Sequence, residues 1–189
     1  WFVSSERNRY EVAWCRVARE IVPGSAPRIL FQNEEEMLFC MEFLDPSDYP
    51  LWKNELRNAR VDPYQAESIG RNLGKIHSAS AKDKKIQKQF PRTDIFHAIR
   101  LEPYLEATAS KHPDLSKLLF NLSRETAKNR PVMIHGDTSP KNIVLGLNGP
   151  VFLDAECACM GDPAFDVAFC LKHFLLKCLW VPKARDSLI

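Results

Sequence analysis

The stretch that most constrains this chain runs from Val132 to Asp154. Val132-Met133-Ile134 reads as a short apolar strand that passes straight into the polar loop His135-Gly136-Asp137-Thr138-Ser139-Pro140-Lys141-Asn142, an H-x-D-x-x-x-x-N pattern. Ile143-Val144-Leu145 and Val151-Phe152-Leu153, joined by Gly146-Leu147-Asn148-Gly149, then read as a compact hairpin, since Asn-Gly suits a tight turn. The hairpin ends on Asp154. Because a hairpin returns the chain to near its starting point, Asn142 at one end and Asp154 at the other can converge on one position. A carboxylate on the loop (Asp137), with an amide oxygen and a second carboxylate beside it, offers one proton acceptor and hard oxygen ligands suited to Mg²⁺. Phosphoryl transfer asks a protein mainly to position a nucleophile and to neutralise phosphate charge, and these three residues supply both.

The remaining sequence has room for such a site. At 189 residues the chain fits one large domain or two small lobes. Lys and Arg number 26 against 24 Asp and Glu, and that balance argues against a dedicated nucleic-acid or membrane-surface binder, so neither partner is expected. The longest apolar stretch, Ala164 to Val181, is interrupted by Asp166, Lys172, His173 and Lys177 and makes a poor bilayer span. Cys15, Cys40, Cys157, Cys159, Cys170 and Cys178 lie in apolar segments and form no Cys-x-x-Cys pair, as expected of reduced, mostly buried thiols in a cytoplasmic protein. Trp1 is not a natural start, so further residues are expected ahead of it.

Tyr10, Ala13, Trp14, Val17, Ala18 and Ile21 form the apolar stripe of a helix that stops at Pro23-Gly24. Two β-like runs follow, Arg28 to Gln32 and Met37 to Leu44, joined by Asn33-Glu34-Glu35-Glu36. The second is almost wholly apolar, as in a strand covered on both faces. Asp45 to Pro50, with two prolines, marks a boundary between a small lobe (1–45) and a larger, mostly helical one (46–189). Beyond it, Asp62-Pro63 starts a helix that carries Ala66, Ile69, Leu73 and Ile76 towards His77. The lysines between 82 and 88 suit a solvated face. A helix from Asp94 is expected to break at Pro103, and another starts at Pro113 with Leu115, Leu118, Leu119 and Leu122 on one side.

The H-x-D-x-x-x-x-N loop with a following metal-binding Asp is the pattern of protein kinases. Together with Leu153-Asp154-Ala155-Glu156 and Gly161-Asp162-Pro163-Ala164-Phe165-Asp166-Val167-Ala168, it resembles the aminoglycoside phosphotransferase and choline kinase-like family of small-molecule kinases. The likeness is strong from Val132 to Phe169 and weaker, in the same order, from Glu11 to His77. It implies an α+β, protein kinase-like two-lobed fold with a helix and β hairpin in the small lobe. It also implies a phosphotransferase that uses ATP, or GTP in its place, with Mg²⁺ to phosphorylate a hydroxyl of a small molecule of aminoglycoside, choline, sugar or amino-alcohol type.

Carried over by position, Asp137 is the catalytic base and Asn142 and Asp154 are the metal ligands. Glu11 pairs with the ATP-binding lysine, and Met41, Glu42, Phe43 and Leu44 form the hinge that receives adenine on its backbone. His135 and Asp166 brace the loop, Asp166 from the first turn of an apolar helix where its charge suits the helix N-terminus. Glu156 is either a further contact of the metal or acceptor site or a surface residue.

Two departures from the protein-kinase pattern favour the small-molecule branch: Ser139 stands where protein kinases have lysine, and Ala155-Glu156 follows Asp154 in place of Phe-Gly. Residues 1 to 10 contain neither a glycine nor a lysine, so the glycine-rich loop and the partner of Glu11 are expected ahead of Trp1, with the strands that Tyr10, Trp14 and Val17 would cover. Further helices are expected beyond Ile189. A nucleotide-binding pseudokinase with a regulatory role, or a metal-dependent hydrolase using His135 and Asp137, are the alternatives. The second suffers from having only five histidines, none placed as a second nearby ligand.

Overall fold

The computed structural model describes residues 4, 6–182 and 185–188. Helix α1 (Arg7–Ile21) and the antiparallel hairpin β1 (Ile29–Asn33) and β2 (Leu38–Met41) make the small lobe. The larger lobe holds α2 (Trp52–Arg57), α3 (Pro63–Ser80), α4 (Lys84–Gln89), α5 (Asp94–Phe96), a π-helical run (His97–Glu106), α6 (Ala107–Lys111), α7 (Pro113–Lys128), β3 (Val132–Ile134), the hairpin β4 (Ile143–Gly146) and β5 (Gly149–Phe152), β6 (Cys159–Gly161), α8 (Pro163–Trp180) and α9 (Arg185–Leu188). The result is the α+β arrangement expected, with the β3–β6 and β4–β5 pairs set among the helices.

Local chemistry explains where the helices start. Asp62 and Asp162 each accept a hydrogen bond from the amide two residues on and are followed by proline at the first helical position, where the lost N–H has no intrahelical partner to miss. Asp83 caps α4 on the Lys85 and Ile86 amides, and the four lysines around it face solvent.

Three expectations need correction. Pro103 does not break the helix from Asp94: the chain passes through it in the π-helical run and continues into α6, the wider register accommodating a residue that cannot donate. The second strand is not covered on both faces. Leu38 and Met41 are exposed, as are Leu30 and Phe31 of its partner, because these two strands form their sheet alone among the described residues. Thirdly, Tyr10, Trp14 and Val17 do not lack a surface. Trp14 is fully buried, edge-on to His135 (ring centroids 4.7 Å) and Phe152 (5.9 Å), and Tyr10 stacks on Phe90, so α1 packs directly on the larger lobe.

One apolar core therefore runs through both lobes, from Trp14 and Val17 through Ile143, Phe152 and Met133 to Trp52 and Leu56. The six cysteines are unpaired, and five of them are buried. The β4–β5 hairpin closes at its open end through the Leu153 amide, which donates to the Asn142 carbonyl at 2.8 Å, and its turn needs Gly149, whose φ is +119°. That closure brings the ends of the hairpin to one place and fixes where the loop side chains meet.

Candidate active site

The loop from His135 to Asn142 has little freedom. Asp166, fully buried in the first turn of α8, accepts from the His135 amide (2.9 Å) and the Gly136 amide (2.8 Å), and its carboxylate also meets His77 Nε2 at 3.0 Å. Its backbone carbonyl accepts the Thr138 hydroxyl at 2.6 Å. The His135 ring fixes the other side: Nδ1 accepts from the Asp137 amide (3.2 Å), so Nε2 carries the proton and donates to the Leu153 carbonyl (3.1 Å). Burial holds the His135 pKa below its ordinary value, which keeps that neutral tautomer. Gly136 has φ +78°, and a Cβ there would meet Cys157 Sγ at 2.8 Å and the Cys157 carbonyl at 3.1 Å, so only glycine fits.

This frame presents Asp137. One carboxylate oxygen, Oδ2, takes Arg100 Nη2 at 2.8 Å and Lys141 Nζ at 3.0 Å. Burial alone would raise its pKa, but the Arg100 and Lys141 charges outweigh it and hold the carboxyl below its usual range. The other oxygen, Oδ1, is buried and has no hydrogen-bond partner, and neither has the nearby Ser139 hydroxyl. An ionised carboxylate with one oxygen clamped and the other unengaged is an acceptor poised for an incoming donor.

Asn142 uses its amide nitrogen to hold the Asp137 carbonyl (3.1 Å), which turns its oxygen Oδ1 outward to lie 3.2 Å from Lys141 Nζ. Asp154, in the left-handed region at φ +63°, places Oδ2 3.7 Å from the same ammonium. The structure thus brings Asp137, Asn142 and Asp154 around one cation. Glu11 joins from α1, where its carboxylate accepts the Asp154 backbone N–H. Burial, and then the Asp154 charge, push its pKa up to about 7. The donor set fits Mg²⁺, which binds through one or two carboxylates and takes its other oxygens from water and phosphate. It is not a closed protein cage: among the described residues no group of three or more His, Cys, Asp or Glu side chains could hold a metal.

Other candidates lie apart from this cluster. Glu156 pairs with Arg7 of α1, an ion pair that ties the two lobes. The Glu42 carboxylate serves its own strand pair, accepting from the Arg28 amide (2.7 Å) and Arg19 (3.1 Å), while its backbone N–H is engaged by the Arg28 carbonyl (2.9 Å). Phe43 is 82% exposed. Two residues that reasoning from sequence passed over belong to the cluster. Lys141 lies inside the motif itself, four residues after Asp137, which is the one signal it gave. Arg100 gave none, since it reaches Asp137 and the Gly136 carbonyl (2.8 Å) from the π-helical run.

Residues 3–182 match the model of the phosphotransferase enzyme family. The chain belongs to that family. Among relatives of this phosphotransferase-family chain, the methylthioribose kinase of Escherichia coli O45:K1 (strain S88 / ExPEC) is 24% identical over 93% of the chain and 48% of its own length. That of Yersinia pseudotuberculosis serotype O:3 (strain YPIII) is 22% identical over 96% and 50%. The chain therefore spans about half the length of the curated relatives it matches. A choline/ethanolamine kinase family protein from Mesorhizobium loti superposes with a TM-score of 0.62 at 14% identity, over 100% of this chain and 59% of that one, which shows that the protein kinase-like two-lobed fold is shared. Among the described residues no helix is long and apolar enough to cross a membrane.

Proposed function

We propose that this chain carries the catalytic centre of a small-molecule kinase that transfers the γ-phosphoryl group of ATP to a hydroxyl. The observation that carries this reading is Asp137, held ionised by Arg100 and Lys141 through one oxygen while the other is buried and unpartnered. Asp137 Oδ1 accepts the proton of the acceptor hydroxyl as that oxygen bonds to the γ-phosphorus and the bond from phosphorus to the β,γ-bridging oxygen breaks. Asn142 and Asp154 would hold Mg²⁺, which when bound neutralises phosphate charge. His135 and Asp166 keep Asp137 in place through the amides of the loop. Adenine would lie against Met41 to Leu44; since the Glu42 N–H is already used by the Arg28 carbonyl, the Glu42 carbonyl and the Leu44 amide are the groups left to read it.

The surroundings of Asp137 favour an uncharged or anionic, sugar-like acceptor over a polyamine or a quaternary ammonium. Arg100 lies over Phe169 (5.5 Å), and the Lys172 ammonium stands 3.2 Å from the Phe169 ring centroid and 4.4 Å from that of Tyr104. Burial lowers the Lys172 pKa to about 8, while the Asp137 charge opposes the fall. His173 lies against the same ring, 5.8 Å away. The aromatic faces that a cationic acceptor would use are thus already taken by the protein's own cations. The name of the methylthioribose kinases points to the same sugar class.

The test is ATP consumption by the full-length protein across a panel of sugars, amino alcohols, choline and aminoglycosides. The sugars should be turned over in preference to the cationic compounds. Asp137→Asn should lower that turnover by at least about a hundredfold with Mg·ATP binding retained, the usual contribution of a positioned base. Near-normal turnover in that variant removes the base from Asp137.

A further inference from the structure

Lys141 occupies the place where the site's oxygens meet. Its ammonium is 3.0 Å from Asp137 Oδ2, 3.2 Å from Asn142 Oδ1 and 3.7 Å from Asp154 Oδ2. Asp137 has a second cation in Arg100, but among the described residues Lys141 is the only ion-pair partner of Asp154 and the only group bonded to Asn142 Oδ1. Without a positive charge in their midst, two carboxylates and an amide oxygen turned towards one another would repel. The lysine therefore does for the oxygens what a metal ion would do.

It is also built to leave. The side chain is 50% exposed, on a flexible four-carbon stem whose ammonium sets no fixed bonding geometry. The loop that carries it is held by Asp166, His135 and the Asn142 amide nitrogen, none of which uses Lys141. A divalent cation bound to Asn142 and Asp154 at about 2.1 Å from each oxygen would lie within about 5 Å of an ammonium still bonded to them, and like charges at that distance repel.

We propose that Lys141 is the resident counter-ion of the metal site and that Mg²⁺ binds by exchange, displacing the ammonium from Asn142 and Asp154. No proton is transferred: the lysine leaves as an ammonium, and Asp137 keeps Arg100. The displaced charge then needs an anion, and the phosphates of the incoming nucleotide are the group that supplies one. Metal alone therefore competes with Lys141, whereas metal with nucleotide does not. This inference rests on the reading of Asn142 and Asp154 as ligands and assigns Lys141 a role on top of it.

The experiment uses the full-length protein and Mn²⁺ alone, without nucleotide, followed by electron paramagnetic resonance and calorimetry. Lys141→Met, which keeps the stem and removes the charge, should bind Mn²⁺ at least about tenfold more tightly than the wild type, because a like charge has left the site. Unchanged or weaker binding overturns the proposal, since a lysine that merely braced the loop would leave a poorer site behind. A measurement on the wild type covers the case in which that variant does not fold. Saturating Mg²⁺ should raise acetic anhydride labelling of Lys141 severalfold, read by mass spectrometry, while exposed Lys111 is unaffected. Labelling of Lys141 that ignores metal sinks the exchange. Asn142→Ala and Asp154→Ala separate the two readings: metal binding that survives both shows that the ligand assignment has failed. Binding lost in both, with Lys141→Met like wild type, shows that only the exchange has failed.

Discussion

The loop from His135 to Asn142 and the inner face of α1 each present a carboxylate to the same site, and protein surrounds the two in opposite ways. Asp137 on the loop has two cations on one oxygen, and its pKa falls. Glu11 on α1 touches Asp154 through a backbone amide. The charges acting on it are Asp154, which raises its pKa, and Arg7, which lowers it less, so the group stays protonated to about pH 7. The rest of each region follows suit. Around Asp137 the His135 and Gly136 amides are taken by Asp166 and the Asp137 amide by the His135 ring, while the hairpin beside α1 leaves Leu30, Phe31, Leu38 and Met41 in solvent. The charge on Asp137 is compensated by neighbouring cations, and among the charges acting on Glu11 the Asp154 carboxylate outweighs Arg7.

The comparison breaks most visibly at Asp166. Asp166→Ala removes the acceptor of two buried amides and of His77 at once, and should destabilise the chain by about 3 to 5 kcal/mol in urea unfolding, the range for a buried polar network that loses one partner. A loss under about 1 kcal/mol, within the range of an ordinary surface substitution, would mean that the loop is held by something other than Asp166. Gly136→Ala is the milder disturbance of the same region. It places a methyl group 2.8 Å from Cys157 Sγ on a backbone at φ +78°, and should lower stability by about 2 kcal/mol. Thermal unfolding indistinguishable from wild type would show that the loop yields where the structure has it rigid.

The same asymmetry decides what the sequence could reveal. The run from Val132 to Asp154 and the capped start of α8 were legible because their chemistry is local: strand, loop and hairpin follow one another, and the contact that closes the hairpin joins neighbours on that path. Arg100 was not legible, because its link to Asp137 depends on a π-helical run through Pro103, and proline reads from sequence as a stop rather than as a widening. β6 was missed since Cys159-Met160-Gly161 is too short to show a period and becomes a strand only by pairing with β3. α1 was plain from its apolar stripe, but its partner was not. The stripe says that Trp14 is buried without saying against what, and the surface it found was His135 and Phe152. Lys141 was in plain view inside the motif, yet a lysine's reach is set by its rotamer, which spacing alone does not encode.

The smallest expected effect is at Glu11, and it sharpens the comparison most directly because its sign is fixed by pH. In the unfolded chain this carboxyl loses its proton around the ordinary value of 4.5, whereas in the folded chain it keeps it to about 7. Between those values the folded state binds more protons, so stability falls as pH rises through the window, and above about 7 the full penalty is present. Glu11→Gln keeps an oxygen for the Asp154 N–H and removes the titration. The variant should match wild type at pH 4 and exceed it by about 1 kcal/mol at pH 8, less than the full linkage value because the half-buried carboxyl is screened by solvent, with the difference opening between about pH 4.5 and 7. Denaturant unfolding of the 189-residue chain at several pH values reads this out. The full-length protein gives the contrasting arm: if a cation faces Glu11 there, the carboxyl regains its ordinary acidity, and the same substitution should become destabilising at pH 8. A pH-independent difference in the 189-residue chain would mean that Glu11 is as well compensated as Asp137 and would dissolve the contrast between the two regions.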